Sequence, residues 1–436
     1  VLLESARHAS HTGRWSIAAA GPFLVLEAKG RRIKITRSGR VSRSVADPFG
    51  VLKKILRENR VKETGNVMPF AGGAIGYAGY EAKNLIEPGL PQKAKDTLDL
   101  PDLYFMCFDR GIVWDHQKKE TVIFAPDKKT AKDVEERVVS FPRQRALPVR
   151  QAGVAFKPER KRTVESSLTQ AEFMKAVNAA KSFIKKGDIY QANLSRRLSF
   201  SIEEDPFEIY RRLRQINPSA FFGFLDAGHF QILSGSPERL LKLENGSLET
   251  RPIAGTRSRG KDERRDAALA LDLLLSPKER AEHIMLVDLE RNDLGRVAEY
   301  GSVRVDELMT LEDYSHVKHI VSNVRGRLKK GSDAVDAFKA FFPGGTITGA
   351  PKVRCMEIID SLEPVARGPY TGSLGYFSFT GGMDFNIIIR SLVVKGGRGY
   401  LHTGAGIVAD SIPKKEYEET DHKAEAVLQA VFGEHK

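Results

Sequence analysis

Cysteine is nearly missing from this chain, with two in 436 residues. Two thiols are too few for a zinc cage, and so sparse a usage suits a reducing compartment, the cytoplasm. Cys107 in LYFMCFDR and Cys355 in KVRCMEI sit in apolar strand-like and helix-like settings. Neither lies in the G-x-C-x-G nucleophile turn of a glutaminase. No apolar run approaches the roughly 18 residues of a membrane span, so no membrane partner is expected. The chain starts at Val1 without Met, so residues before it are expected to be missing, and no signal peptide is visible. Internal repeats and low-complexity tracts are absent, which excludes a solenoid. Strands and helices do not alternate regularly either, and a doubly wound parallel sheet is disfavoured.

What is present is an ordinary globular composition with excess positive charge. Hydrophobic residues make up 41% and charged residues 29% of the chain, as in a protein able to bury a core. The length suits two or three domains or one large α+β unit. A formal net charge of +13 admits nucleic acid, an anionic substrate or plain solubility as explanations. The densest basic stretches, RVVSFPRQRALPVRQ and KPERKR, lack the interleaved aromatics of a single-strand binder. No nucleic-acid partner is expected.

Residues 1–125 alternate short strand patterns with turns, and FLVLEAKGRRIKI and RGIVWDHQKKETVIFA read as hairpins. Residues 127–168 are polar, a helix followed by an exposed linker. Beyond them AEFMKAVNAAKSFIKKGD has helical spacing and leads into the strand pattern IYQANLSRRLSF. RLLKLENGSLETRPI is a hairpin whose Asn245-Gly246 suits a type I′ turn, and NIIIRSLVVKGGRGYLHTGAG is another, closed by glycines. SPKERAEHIMLVDLERND opens a helix with Ser276 as N-cap, Pro277 at its first position and Glu279 completing a capping box. A last helix runs from near Pro413 to Gly433.

The glycines of FFPGGTITGAPKVRCMEIID raise the question of a phosphate loop. Gly344, four residues and Gly349 match the start of G-x-x-x-x-G-K-[ST], but Ala350 and Pro351 stand where Lys and Ser/Thr belong and Lys352 comes late. Proline also removes an N–H that would face phosphate oxygens. Elsewhere single residues carry open readings. Glu282 borders an apolar stripe as solvated neighbour or ligand. Glu416, Glu419 and Lys423 share one helix face, as an ion-pair row or as part of a Mg²⁺ site completed by the other helix. Arg390 ends the apolar run NIIIR, either a surface residue or a bidentate partner for a carboxylate. Gly404 and Gly406 around Ala405 make a tight turn or an anion-binding backbone. His319 reads as core or catalyst, and Glu238 in SGSPERLL says little alone.

In combination these stretches resemble one family, the chorismate-utilising enzymes. GDIYQANLS, SGSPERLL, TRPIAGTRSRG, KERAEHIMLVDLERNDLGRV, HVKHIVSNVRG, FPGGTITGAPKVRCMEIID, GMDFNIIIR and GAGIVADSIPKKEYEET follow in family order from Gly187 to Lys423. The weaker LLES…GRWSI and GGAIGYAGYE resemble the amino-terminal region of the ammonia-using branch. The resemblance implies an α+β fold, one large αβ sandwich of two antiparallel sheets with helices outside. Residues 1–150 form the amino-terminal region and 165–430 the chorismate-binding region of that composite sandwich. It also implies site roles. Glu282, Glu416 and Glu419 would hold Mg²⁺; Arg390, Lys423, Tyr370 and the Gly404, Ala405 and Gly406 amides would bind carboxylates, with Thr348 near the ring. Glu238 would be the general acid and His319 a ring-side catalytic group. A tryptophan pocket would draw on Ser5, Arg14, Pro218 and Ser219, against a plain structural reading of that strand.

Water-using relatives carry a lysine base where this chain has Gln191, and an amide cannot take up a proton near neutrality. Ammonia needs no such base, so amination is expected, the ammonia coming from solution or from a separate glutamine amidotransferase subunit. QANLS with Asn193 and GMDFNIIIR with Asn386 point to 4-amino-4-deoxychorismate as product. Ala254, where many such relatives have a nucleophilic lysine, points instead to anthranilate.

Overall fold

The computed structural model describes residues 1–5, 13–62, 68–140, 163–258, 262–313 and 317–433. The linker expected late in 127–168 lies largely outside them; the helix before it is Lys128–Ser140. Both hairpins read from the first third form, Leu24–Lys29 with Arg32–Arg37 and Gly111–Asp115 with Glu120–Phe124. The first shows period-two alternation, its leading strand burying every second residue. Asn245 and Gly246 both have positive φ, 51° and 75°, as a type I′ turn requires.

Among the described residues the strands assemble into two antiparallel sheets of 11 and 12 strands. Each sheet draws on both ends of the chain. Leu2–Glu4 pairs with Phe221–Asp226 in the first, with Leu2 opposite Phe224. Gly73–Ala78 pairs with Ser373–Ser378 in the second, with Gly76 opposite Gly375. The sheets meet face to face through an apolar layer. Phe230 of the first sheet sits edge-on to Tyr77 and Tyr104 of the second, at ring-centroid distances of 6.0 and 5.4 Å, a favourable aromatic geometry. The expected α+β sandwich is what the chain forms.

Helices cover the outer faces, the clearest case through one apolar stripe. Gln170–Lys185 is opened by a capping box between Thr169 and Glu172, and it buries Phe173, Val177 and Ala180 at helical spacing. Those residues pack with Leu194, Ala405 and Ile407 of the first sheet. The Pro413–Phe432 helix lies on that sheet too, against the strand Arg398–Ile407. The Pro277–Gly295 helix lies on the second sheet, against Val317–Arg327. Its capping box is only half formed. Ser276 Oγ accepts from the Glu279 N–H, but the Ser276 N–H donates to Asp272 of the preceding helix. With that donor already satisfied, the Glu279 carboxylate is directed elsewhere.

The chain crosses between the sheets at two neighbouring points. Phe230–Ser236 belongs to the first sheet and Arg239–Glu244 to the second, so Pro237 and Glu238 form a crossover. Met383–Asn386 belongs to the second and Ser391–Lys395 to the first, so residues 387–390 cross back. The Ile387 N–H donates to the Glu238 carbonyl at 3.0 Å and ties the two crossovers together.

Candidate active site

Each crossover carries one charged side chain, Glu238 on the first and Arg390 on the second. Glu238 is buried, and its Oε1 accepts the Thr346 hydroxyl at 2.7 Å. Burial pushes its carboxyl up to about 7, opposed by that hydroxyl and by Lys423. A carboxyl in this state holds a deliverable proton near neutrality. Arg390, on the returning crossover, has φ 52°. Such left-handed backbone is costly for a side-chain-bearing residue and is retained where the surroundings impose it. Burial pulls the Arg390 pKa down, while Tyr370 and Glu419 favour its charge. Among the described residues no carboxylate forms an ion pair with it, so its fork remains open to an anion.

The FPGGTITGAPK loop closes one side. Thr348 is fully buried and donates its hydroxyl to the Gly344 carbonyl at 2.9 Å, which leaves Thr346 as the loop hydroxyl that reaches Glu238. Lys352 pairs with Asp293 at 2.5 Å and donates to the Phe341 carbonyl at 2.9 Å. Its ammonium therefore anchors the loop inward, and no phosphate cradle forms.

Opposite the loop runs the strand Arg398–Ile407. It pairs with Ser391–Lys395 only through Arg398–Leu401, so Gly404, Ala405 and Gly406 extend beyond that partner and leave one edge of their backbone open. Lys423 donates to the Gly404 carbonyl at 3.0 Å and pairs with Glu419 at 2.5 Å. Tyr370 stacks on His402 at 5.2 Å and reaches Gly404 so closely that a Cβ there would lie 2.8 Å from its hydroxyl oxygen. Alanine at Gly404 would also lie 2.7 Å from the Leu194 carbonyl, so only glycine fits. Arg390, Lys423, Tyr370 and the glycine edge are thus brought to one place.

Carboxylates from two helices approach the same point. Burial, then repulsion from Glu279, raises the Glu282 carboxyl, and Glu419 of the last helix adds to it. Burial also raises Glu416, with Glu419 repelling and Ser411 opposing. Among the described residues no three His, Cys, Asp or Glu side chains form a ready metal cage. Hard oxygen donors that repel one another nonetheless suit a small divalent cation that takes one or two protein ligands and keeps its waters. From sequence Glu279 was the capping partner of Ser276 and a carboxylate three residues before Glu282. Its carboxylate instead lies over Gly255, where a Cβ would be 3.0 Å from Oε2.

His319 and Ala254 lie on the paired strands Val317–Arg327 and Ile253–Ser258, with Ala254 opposite Ile320. The His319 ring nitrogen Nδ1 is 2.9 Å from the Gly255 carbonyl, which orients the imidazole. Ala254 is buried and offers no amine. Glu290, not singled out in the sequence, lies deeper. It accepts from the Thr250 hydroxyl at 3.0 Å, and burial, with repulsion from Asp293, pushes its carboxyl up to about 8. Gln191 is buried, and its side-chain oxygen has no hydrogen-bond partner among the described residues.

A separate cavity of about 300 Å³ contains two of the four candidates for the tryptophan pocket, Ser5 and Arg14, with Ala220 and Tyr376. Ser219 is buried behind it, donating its hydroxyl to the Gly235 carbonyl at 2.8 Å. Pro218 is half-buried beside Ser219.

A sandwich that gathers a protonatable buried acid, an open guanidinium, a glycine edge and opposed carboxylates has the make-up of an enzyme site for an anionic substrate. The chain belongs to the family of chorismate binding enzymes, which it matches over residues 2–429. Its relatives narrow that class. It is 45% identical to aminodeoxychorismate synthase component 1 of Bacillus subtilis, over 99% of this chain and 91% of that one. It is 41% identical to anthranilate synthase component 1 of Acetivibrio thermocellus, over 99% and 89%. The crystal structure of anthranilate synthase component I from Streptococcus pneumoniae superposes with a TM-score of 0.80 at 35% identity, covering 97% of this chain and 93% of that one. No helix among the described residues is long and apolar enough to cross a membrane.

Proposed function

We propose that this chain aminates chorismate with ammonia to give 4-amino-4-deoxychorismate, as an aminodeoxychorismate synthase component I in folate and para-aminobenzoate biosynthesis. The observation that carries the reading is Gln191, a buried amide where a water-activating base would be needed for hydroxylation. Ammonia's lone pair forms the new C–N bond, the C4–O bond breaks, and Glu238 protonates the departing hydroxide to water. The amine nitrogen then loses its extra proton. Positioned proton delivery of this kind contributes about 10²–10⁴-fold in rate. Arg390, Lys423, Tyr370 and the Gly404–Gly406 backbone hold the two carboxylates of the substrate, and His319 stands beside the ring.

Glu282, Glu416 and Glu419 would hold Mg²⁺, which when bound offsets the charge of the dianion and of these acids. Ammonia comes from solution or from a separate glutamine amidotransferase. In support, burial pushes the thiols of Cys107 and Cys355 up to about 12, so neither is a nucleophile for glutamine. L-tryptophan is proposed to occupy the Ser5–Arg14 cavity, and calorimetry with the purified chain tests it: saturable heat supports the proposal, and none removes it.

A second reading, anthranilate with loss of pyruvate, is favoured by Ala254 and by the anthranilate synthase relatives. Chorismate, Mg²⁺ and an ammonium salt are mixed with the chain and no added lyase. Consumption of chorismate without anthranilate fluorescence is expected. Rapid anthranilate release would replace the first reading with the second.

A further inference from the structure

We propose that the side-chain carbonyls of Gln191 and Asn193 form a binding site for ammonia; this rests on the amination reading above. Both residues lie on the strand Gln191–Ser201, two apart, and so project from one face. On the partner strand Asn193 is paired to Gly406 and Ser195 to Gly404, while Gln191 pairs with Ala350 on the loop side. The two amides lie over that side-chain-free surface. A Cβ at Gly406 would be 2.6 Å from Gln191 Nε2, and one at Gly404 would be 2.8 Å from Asn193 Oδ1.

Both carbonyl oxygens are buried, and neither has a hydrogen-bond partner among the described residues. Buried acceptors without donors are rare and costly, and each asks for an explanation. Two neighbouring donors have other partners, and the Tyr370 hydroxyl, which meets the same Gly404 position as Asn193 Oδ1, is left to the proposed substrate carboxylate. Lys423 is engaged with Glu419 and Gly404, and the Cys355 thiol donates to the backbone carbonyl of Gln191 at 3.0 Å. What the two oxygens lack is a hydrogen-bond donor. Asn193 Oδ1, beside Tyr370 and the Gly404 edge, is next to the proposed carboxylate cradle.

Ammonia fits this chemistry. Two of its N–H bonds can point at the two carbonyls while the lone pair stays free for the ring. Neither amide can remove a proton, so water held in the same way would remain a poor nucleophile. The slot therefore positions one nucleophile without activating the other. The sequence reading used Gln191 only as a missing base; the paired orphan oxygens give both amides a positive role.

The test is steady-state amination with ammonium chloride as nitrogen source, comparing the unaltered chain with Gln191→Met, Asn193→Ala and Asn193→Asp. The first two substitutions should raise the KM for ammonia about tenfold, the effect of roughly one hydrogen bond, with the KM for chorismate unchanged. Asn193→Asp retains an acceptor and should restore a near-normal KM for ammonia. A higher KM for chorismate with an unaltered KM for ammonia would overturn the site. A second arm needs no turnover: ammonium chloride should raise the melting temperature saturably above that in tetramethylammonium chloride at equal ionic strength, and Asn193→Ala should abolish the difference. No difference in the unaltered chain counts against the site. Failure of the unaltered chain to aminate chorismate refutes the proposed function, and this binding arm still decides the slot.

Discussion

Glu238, the proposed general acid, is a single buried carboxyl that accepts the Thr346 hydroxyl. With its pKa near 7, the chemical step should lose about tenfold per pH unit above that value as the proton is lost. Single-turnover rates against pH measure this, and a flat profile through pH 9 would exclude Glu238 as the acid. Glu238→Gln should lose the step and retain chorismate binding. Glu290 makes a different prediction, about stability. Its carboxyl titrates near 8 in the folded chain but near the ordinary value when unfolded. The folded state thus holds a proton that the unfolded state releases, and stability falls as pH rises from about 5 to 8. Glu290→Gln, neutral throughout, should flatten that window by on the order of a few kcal/mol, as measured by urea unfolding. The role proposed for Glu238 came only from family resemblance, because a Glu after Pro in a turn has no local signature. Glu290 had no signal at all, since its partner Thr250 is 40 positions away.

Elements were far more legible than the side chains they carry. Period-two alternation and Asn245-Gly246 located the hairpins, and the caps located the helices. Yet Ser276–Glu279 was read as a reciprocal capping box, and the preceding helix took the Ser276 N–H instead. Local pattern could not anticipate that competitor, whereas the three-residue spacing did put Glu279 beside Glu282, whose carboxyl it raises. The loop shows the same limit: Thr346 and Thr348 look alike in sequence, and only the fold decides which hydroxyl meets Glu238. The strand Arg398–Ile407 carries its own prediction. Gly404→Ala forces a Cβ against the Leu194 carbonyl, Asn193 and Tyr370. It should raise the KM for chorismate and lower the melting temperature, whereas Gly396→Ala at the hairpin turn, with positive φ but open space, should affect stability alone.

On the scale of the molecule, the two sheets interleave strands from both ends of the chain. We therefore expect one cooperative thermal transition by calorimetry; two separate transitions would contradict the single-sandwich arrangement. The metal proposal also belongs here, because its acids come from helices on different sheets. EDTA should abolish amination and Mg²⁺ restore it, while Glu419→Gln should raise the Mg²⁺ requirement about tenfold or more. Undiminished turnover in EDTA would remove the metal from the reaction.

By itself the sequence determined the hairpins, the helices, the family and the lack of a proton-accepting side chain at position 191. All of these depend on residue type and on spacing within a short window. Only the tertiary structure decided that Glu238 is buried against Thr346 and that, among the described residues, Arg390 has no carboxylate in an ion pair and two amide oxygens stay unpartnered. Those outcomes depend on burial and on partners that long-range strand pairing brings together, and neighbouring residues along the chain do not encode them.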